Sequence, residues 1–316
     1  MKKKLSPSLP QIRHFLAIAD CGSLRAAAEQ LGISQPALSK SLRSLEQTLG
    51  STLVSRDARG SSLTVAGEIF VARARLIENE VLRATHEIQA LSGAHAAHLR
   101  IGVSAIPSML IVPQAVAKFT REHPNIGLEL VGGMPSVLLP RLVDGSLDFL
   151  VGPNPTVSAP DLIDSYLLMQ LRVNIIVRKG HPLEHAQSLR DFANAQWVVS
   201  SNSSYAQEKI QTLLHERQAN GQVPYIRVDS LFAVLSFIKK TDFIGIVPSI
   251  EPPAALYGND VSVLNIKEMD MFEEYRLFYR KNHVHSRYSA HLIEGMQKAA
   301  TQYALEALKL NSRKQA

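Results

Sequence analysis

The fold of the first part of the chain is decided by residues 23–39, which read SLRAAAEQLGISQPALS. The apolar residues in the first half of this segment recur at the spacing of one helix face: Leu24, Ala27, Ala28 and Leu31. Gly32 then permits a tight turn, and Ser34 is a good N-cap for the next helix, which has Pro36 in its first turn. The segment therefore predicts two helices joined by a short turn.

The helix that begins at Gln35 is predicted to have two different faces. Its buried face carries four leucines: Leu38, Leu42, Leu45 and Leu49. The opposite face presents amide, hydroxyl and cationic groups with no carboxylate at its centre, which is the chemistry that meets base edges and phosphates in a DNA major groove. We therefore predict a helix-turn-helix in which Gln35–Leu49 is the recognition helix. Its expected DNA-contacting residues are Ser34, Gln35, Pro36, Ser39, Lys40 and Arg43.

A wing is predicted directly after this helix. Residues 51–64 read STLVSRDARGSSLT, in which apolar and β-branched pieces flank a basic tip that ends in Gly60. Arg56 and Arg59 are candidates for contacts with backbone phosphates or the minor groove. A single polar helix face is more often merely solvated, but helix, turn, capped helix and wing in this order favour nucleic-acid binding.

The distribution of charge favours the same partner. The chain has 316 residues and a net charge of +6, from 34 Lys and Arg against 28 Asp and Glu. Residues 1–60 hold nine basic and four acidic side chains, a net +5, so the rest of the chain carries +1. This asymmetry indicates nucleic acid or an anionic surface as the partner of the N-terminal part.

The composition excludes several classes of protein. Hydrophobic residues are 46% and charged residues 20%, which is typical of a globular chain, and the length suggests two or three domains. The single cysteine, Cys21, excludes a disulfide scaffold and a two-cysteine redox switch within one chain. The apolar runs at residues 15–19 and 101–117 are too short for a signal peptide core and a membrane span. We expect a cytoplasmic protein without membrane contact.

A heptad pattern follows the wing. Apolar residues recur at alternating spacings of four and three: Phe70, Ala74, Ile77, Val81, Ala84, Ile88 and Leu91. A helix with such a stripe must bury it, either against its own chain or against a second copy, and the second copy is favoured. The expected dimerisation residues are Phe70, Ile77, Val81, Ile88 and Leu91. A two-fold dimer would present two recognition helices to half-sites about one helical turn apart, or a multiple of that distance.

Strands and helices alternate in the remaining two hundred residues, which predicts α/β structure with a mostly parallel sheet. Ligands of open α/β sheets bind beyond the carboxyl ends of the strands. Hydroxyl groups and helix N-termini at these ends favour carboxylates, sulfonates or phosphates, so we expect a small organic anion there. The candidate effector-binding residues are Ser104, Ala105, Ile106, Gly152, Ser201, Asn202, Ser203 and Pro248. In the alternative interpretation, the serines only cap helices.

Residues 23–39 resemble the signature of LysR-type transcriptional regulators, and the segments LRSLE at 42–46, LG at 49–50 and LTVAG at 63–67 continue the resemblance. It covers essentially the whole chain. One departure is the sequence Val54-Ser55-Arg56, where family members usually have an aromatic residue before the arginine. The resemblance implies a winged helix-turn-helix domain at 1–64, a long linker and dimerisation helix at 65–92, and an effector domain at 93–316.

The resemblance also implies the architecture of the effector domain and the function. The domain is expected to be periplasmic-binding-protein-like, with one subdomain at about 93–166 and 268–316 and a second at about 167–267. The protein is expected to regulate transcription by binding operator DNA as a homodimer or homotetramer, with RNA polymerase as a further partner and a small organic effector between the subdomains. Residues 56–66 resemble the branch that responds to aromatic sulfonates and aromatic acids. Activation and repression both stay open.

Two other classes of protein fit the sequence less well. A solute-binding protein would need an export signal, which the sequence does not carry. An enzyme would need a catalytic constellation, and no nucleophile elbow, dinucleotide-binding loop, phosphate-binding loop or zinc-protease motif occurs. The pairs His95 and His98, and His283 and His285, have no obvious third metal ligand. We therefore expect no catalytic residues, no cofactor and no metal ion.

Overall fold

The computed structural model describes residues 6–57, 60–91, 98–155, 161–192, 194–200, 225–228, 230–250, 257–266, 268–281 and 285–315. The chain divides into two compact units, Met1–His98 with Pro140–Leu147, and Leu99–Leu139 with Asp148–Ala316.

The N-terminal unit begins with three short helices that have the same type of boundary. Its elements are α1 (Leu9–Cys21), α2 (Leu24–Leu31), α3 (Gln35–Leu49), β1 (Val54–Asp57), β2 (Gly60–Leu63) and α4 (Val65–Leu91). A serine side chain caps the start of each of the first three helices: Ser8, Ser23 and Ser34. A glycine with φ between 61° and 70° ends each one: Gly22, Gly32 and Gly50. The predicted helix-turn-helix is confirmed, with left-handed glycines at its turns.

The core of this unit lies between α1 and the apolar face of α3. Phe15, Leu38 and Leu45 are completely buried, and Leu42 is nearly so. The predicted stripe is wrong at its last position, because Leu49 is 37% exposed. Leu49 is the final residue of α3, where the helix ends at Gly50.

The wing is an antiparallel hairpin in which β1 and β2 pair from Val54 with Leu63 to Asp57 with Gly60. Behind it, the first turn of α4 approaches the backbone very closely. A Cβ atom at Gly67 would lie 2.1 Å from the carbonyl oxygen of Leu53. The same oxygen accepts a hydrogen bond from the backbone N–H of Thr64 at 2.9 Å. Gly67 therefore allows the linker helix to start directly against the wing.

The second unit is an α/β domain built on one sheet. Its helices are α5 (Ala105–Leu110), α6 (Val112–Glu122), the first part of α7 (Pro135–Val143), α8 (Leu231–Lys240) and α9 (Arg287–Gln315), with a 3-10 turn at Leu189–Phe192. The residues of α7 from Pro140 onward belong to the N-terminal unit. Its strands are β3 (His98–Val103), β4 (Gly127–Gly132), β5 (Phe149–Pro153), β6 (Ile163–Arg178), β7 (Gln196–Ser200), β8 (Tyr225–Val228), β9 (Phe243–Pro248), β10 (Val261–Leu264) and β11 (Phe272–Arg280).

The strand order is β4-β3-β5-β11-β6-β9-β7-β8, and β10 also pairs with β6. Strand β3 is parallel to β5, and β7 is parallel to both β8 and β9. All the pairs that join β5, β11, β6, β9 and β10 are antiparallel. The expectation of a mostly parallel sheet is therefore wrong, and the sheet is mixed.

Strand β6 explains this mixture. Its residues up to Arg172 pair with β11, and those from Val173 pair with β9 and β10. Residues 163–178 contain neither glycine nor proline, so neither residue type interrupts the strand where it changes partners. This change lies slightly beyond residue 167, where the second subdomain is expected to begin. The chain returns to the first part of the sheet between Leu264, the end of β10, and Phe272, the start of β11.

The apolar pattern of residues 108–121 predicts one helix, which the structure divides into α5 and α6, because Pro113 lies in the first turn of a new helix that begins at Val112. The sequence also predicts a helix near residues 205–217 and a hinge at residues 92–98. That helix lies outside the described residues, and so do residues 92–97 of the hinge.

Substituting Gly67→Ala is expected to destabilise the N-terminal unit. The added methyl group would overlap the carbonyl oxygen of Leu53, and overpacking of this kind costs about 1–3 kcal/mol. Urea unfolding followed by circular dichroism would measure the effect. The matched control is Gly132→Ala, because a Cβ at Gly132 would meet nothing within 4 Å. Equal shifts in the two variants would contradict the packing argument.

Candidate functional site

The polar face of α3 is turned outward, as the sequence predicts. Gln35, Pro36, Lys40 and Arg43 are exposed, and Ser39 is half-buried. The five residues border a surface groove of about 610 Å³ together with Ser44 and Gln47. Ser34 is exposed at the helix start, where its side chain accepts a hydrogen bond from the backbone N–H of Ala37 at 3.4 Å. The groove thus offers amide, hydroxyl and cationic groups on one accessible surface.

Helix α3 is held in place by polar contacts with α1. The amide of Gln11 donates to the hydroxyl of Ser44 at 3.0 Å. His14 Nδ1 lies 2.7 Å from the hydroxyl of Ser41. Together with the packing of the leucine stripe, these contacts fix the rotation of α3.

Glu46 positions the wing, which sequence reasoning missed. Its Oε1 accepts hydrogen bonds from the backbone N–H groups of Leu53 at 2.8 Å and Val54 at 3.3 Å. The carboxylate of α3 therefore anchors the start of β1. The available signal was only that Glu46 lies in the LRSLE segment, three residues before Leu49 at the end of α3.

The two wing arginines are described only in part. Arg56 lies in β1 and pairs with Ser61 across the hairpin, and its side chain is outside the described part. Arg59 lies outside the described residues altogether. Their DNA contacts stay predictions.

The stripe of the linker helix α4 has two parts. Phe70 was expected on the dimer seam, but its ring packs against Phe15 of the same chain, with ring centroids 5.3 Å apart. Ala74 is likewise buried in this core. Farther along, Ile77, Val81 and Ile88 are exposed by 44%, 37% and 67%. The side chain of Leu91, the last residue on the predicted seam, is outside the described part.

The second unit contains a cavity of about 630 Å³. Four predicted effector residues line it: Ser104, Ala105, Ile106 and Pro248. Gly152 lies beside it, because a Cβ there would be 3.5 Å from Ser104 Cβ and 2.9 Å from a ring carbon of Pro135. Ser201, Asn202 and Ser203 lie outside the described residues. Much of the remaining wall is apolar and includes Met109, Met134, Val137, Leu231, Phe232 and Val247.

The hydroxyl of Ser104 is a notable polar group of this cavity. Ser104 is only 2% exposed, and its Oγ has no hydrogen-bond partner among the residues that the structure describes. It precedes α5 but makes no side-chain cap, so the interpretation that it merely caps a helix does not hold. A buried hydroxyl without a partner is costly, and a ligand in the cavity can satisfy it. Ser230, which also lines the cavity, likewise makes no side-chain cap to α8.

A buried carboxylate also lines the cavity, and sequence reasoning missed it. Glu273 is 6% exposed and accepts a hydrogen bond from the hydroxyl of Tyr275 at 3.2 Å. Burial and the neighbouring carboxylate of Glu273 raise the pKa of Tyr275 well above its ordinary value, so its phenol stays neutral and remains a donor. Both residues lie on β11, where the two-residue period of a strand puts them on one face.

The fold and these two sites define a class of protein, namely a winged helix-turn-helix DNA-binding regulator with a ligand-binding α/β domain. Residues 9–68 match the family model described as bacterial regulatory helix-turn-helix protein, lysR family. Residues 92–301 match the model described as LysR substrate binding domain. The chain belongs to the LysR family of transcriptional regulators.

Relatives support this membership over most of the chain. The HTH-type transcriptional regulator TdcA of Escherichia coli (strain K12) is 25% identical over 293 residues, which cover 90% of this chain and 92% of TdcA. The SDS degradation transcriptional activation protein of Pseudomonas sp. (strain ATCC 19151) is 28% identical over 244 residues, which cover 76% and 78% of the two chains. PcaQ of Agrobacterium fabrum is 31% identical over 175 residues, 54% of this chain and 55% of PcaQ.

Solved structures share the fold. The LysR family regulator CbnR has a TM-score of 0.63 at 20% identity, covering 93% of this chain and 99% of CbnR. Full-length CbnR complexed with its target DNA also gives 0.63, at 21% identity, covering 92% and 99%. A full-length OxyR variant from Pseudomonas aeruginosa gives 0.62 at 18% identity, covering 94% and 95%. Among the described residues, we find no helix with the length and apolar character needed to cross a bilayer.

Replacing Lys40 or Arg43 with alanine is expected to weaken DNA binding, because both cations lie exposed on the groove of α3. If each side chain contacts a phosphate, the slope of log affinity against log salt becomes shallower by about 0.9 per variant. Fluorescence anisotropy with a labelled duplex at several salt concentrations would measure both quantities. The charge-matched control is Lys298→Ala on α9, whose side chain is 65% exposed. Unchanged affinity in both α3 variants would contradict the assignment.

Proposed function

We propose that this LysR family protein is a cytoplasmic, homo-oligomeric transcription factor that recognises operator DNA and responds to a small organic effector. The observation that carries the proposal is the outward polar face of α3, with Gln35, Lys40 and Arg43 exposed on a domain that matches the family's helix-turn-helix. The structural neighbour CbnR was solved in complex with its target DNA, which supports DNA binding by a protein of this fold.

Reading of base edges is assigned to the first turn of α3. Gln35 is exposed beside Pro36, and a glutamine amide pairs with the N6 and N7 positions of adenine through two hydrogen bonds. Lys40 and Arg43 lie farther along the same face and suit phosphate contacts, which set the register of the helix on the duplex. The wing residues Arg56 and Arg59 follow this helix in the sequence and add two more cationic side chains.

Pairing of two chains is assigned to the exposed part of α4. Ile77, Val81 and Ile88 follow the heptad pattern and are exposed in the single chain. Burying an apolar side chain stabilises an assembly by about 1.5–3 kcal/mol, so a second copy of the helix is a fitting partner for this stripe. The proposal that two such dimers assemble into a tetramer comes only from membership of the LysR family.

The effector is assigned to the cavity beside Ser104. The apolar wall suits a hydrocarbon or aromatic body, and the buried hydroxyl of Ser104 suits a polar group of the effector. A ligand changes DNA binding only by favouring one arrangement of the protein over another.

We further propose that the protein acts through binding alone, without catalysis and without a cofactor, since its relatives are transcriptional regulators. RNA polymerase is the partner through which such a protein would alter transcription.

Selection of binding sites from a pool of random DNA duplexes tests the proposed recognition. The wild type is expected to enrich a two-fold-related repeat whose half-sites are about one helical turn apart or a multiple of it. Gln35→Ala is expected to lose about 1–3 kcal/mol of preference at one position in each half-site. The control is Gln114→Ala on α6, a glutamine of the second unit. A pool without enrichment, or an identical motif for Gln35→Ala, would refute the assignment.

Thermal-shift screening of organic acids, starting with benzoate and benzenesulfonate, tests the proposed effector site. Each acid that stabilises the protein is then titrated against the wild type and against Ser104→Ala. Ser104→Ala is expected to weaken binding of the acid several-fold, because the buried hydroxyl can no longer bond to it. Equal affinity of the acid for the two proteins would contradict the assignment of Ser104, and the absence of any stabilising acid would contradict an anionic effector.

A further inference from the structure

A carboxylate and two imidazoles meet where the end of α6 packs against the start of α9. Glu122 is the last residue of α6, His123 is its C-cap, and His291 lies in the second turn of α9. His123 Nε2 lies 2.7 Å from His291 Nδ1, and His291 Nε2 lies 3.2 Å from a carboxylate oxygen of Glu122. One potential ligand atom from each residue falls within 4.8 Å of the other two.

The rings are held in position by aromatic neighbours. Phe119 packs on His123 with ring centroids 4.7 Å apart, and Tyr288 meets the same imidazole edge-on at 5.3 Å. The side chains of Glu122 and His291 are about 40% exposed, so an ion can enter from solvent. The cluster also lies at the C-terminal end of α6, where the helix dipole favours a positive charge.

We propose that Glu122, His123 and His291 bind a divalent transition-metal ion of the zinc type, which links the end of α6 to α9. Two histidine nitrogens and one carboxylate oxygen form a common zinc ligand set that leaves a fourth position for water. Nitrogens on one zinc ion at 2.0–2.1 Å are about 3.3 Å apart, so the imidazoles separate by roughly 0.6 Å from their hydrogen-bonded positions. Mg²⁺ and Ca²⁺ need more oxygen ligands than this cluster offers.

This site is separate from both functional surfaces of the proposed regulator. None of its three residues belongs to the groove of α3 or lines the cavity at Ser104. It also differs from the histidine pairs considered in the sequence. His123 and His291 are 168 positions apart, and only the packing of α6 on α9 brings them together.

Isothermal titration of the untagged full-length protein with ZnCl₂, in a buffer that does not bind zinc, tests the proposal. The wild type is expected to bind one zinc ion per chain at this cluster, and MgCl₂ is expected to give no saturable binding. His123→Gln and His291→Gln are expected to weaken the zinc affinity at least tenfold. The control is His86→Gln, which removes an exposed histidine of α4 and is expected to leave the affinity unchanged.

Thermal unfolding gives a second readout that does not depend on titration heats. Zinc is expected to raise the unfolding temperature of the wild type and of His86→Gln, but not that of His291→Gln, because an ion that binds only the folded state stabilises it. Glu122→Gln keeps the shape of the side chain and removes its charge, so it tests the site if a histidine variant does not fold. Zinc affinity that is the same in the wild type and in the cluster variants, or no saturable zinc binding by the wild type, would overturn the proposal.

Discussion

Burial of the leucine face of α3 is the constraint on which the DNA-binding unit depends. Leu38, Leu42 and Leu45 pack with Phe15 in one core, and each buried leucine stabilises the fold by about 1.5–3 kcal/mol. A helix whose one face is fixed in this way has no freedom to rotate, so Gln35 and Arg43 must face solvent. The same packing that folds the domain therefore also presents its recognition surface.

The linker helix extends this arrangement. Its start is fixed by the close approach of Gly67 to Leu53 and by the packing of Phe70 on Phe15. The continuous helix then carries Ile77 and Ile88 outward from a rigid base. Two chains that pair through this stripe would hold their recognition helices at a defined separation, which is what a DNA site with two half-sites requires.

Elements with strong local signals were predictable from the sequence. The cap at Ser34, the turn at Gly32 and the spacing of the leucines are all encoded within a few residues, and they predicted the bounds of α3 closely. Ser104 was predictable because it directly follows a buried strand. In contrast, Leu49 follows the leucine pattern but lies at the helix end, where periodicity alone does not report burial.

Features that depend on distant pairing were not predictable in the same way. Glu273 and Tyr275 face the cavity because β11 pairs with β5 and β6 in an antiparallel register, which no local pattern specifies. The partner change within β6 and the meeting of His123 with His291 likewise arise from tertiary packing. The net charge of +1 beyond residue 60 agrees with an effector site formed by hydroxyl groups and apolar walls rather than by a positive field.

The proposal that two chains paired through α4 bind DNA as one unit is tested by the sedimentation of Ile77→Glu. Analytical ultracentrifugation would compare this variant with the wild type and with Leu308→Glu, in which an exposed leucine of α9 is replaced. Ile77→Glu is expected to sediment as a smaller species and to bind DNA more weakly, while the wild type and Leu308→Glu stay associated. An Ile77→Glu variant with the assembly size and DNA affinity of the wild type would contradict it.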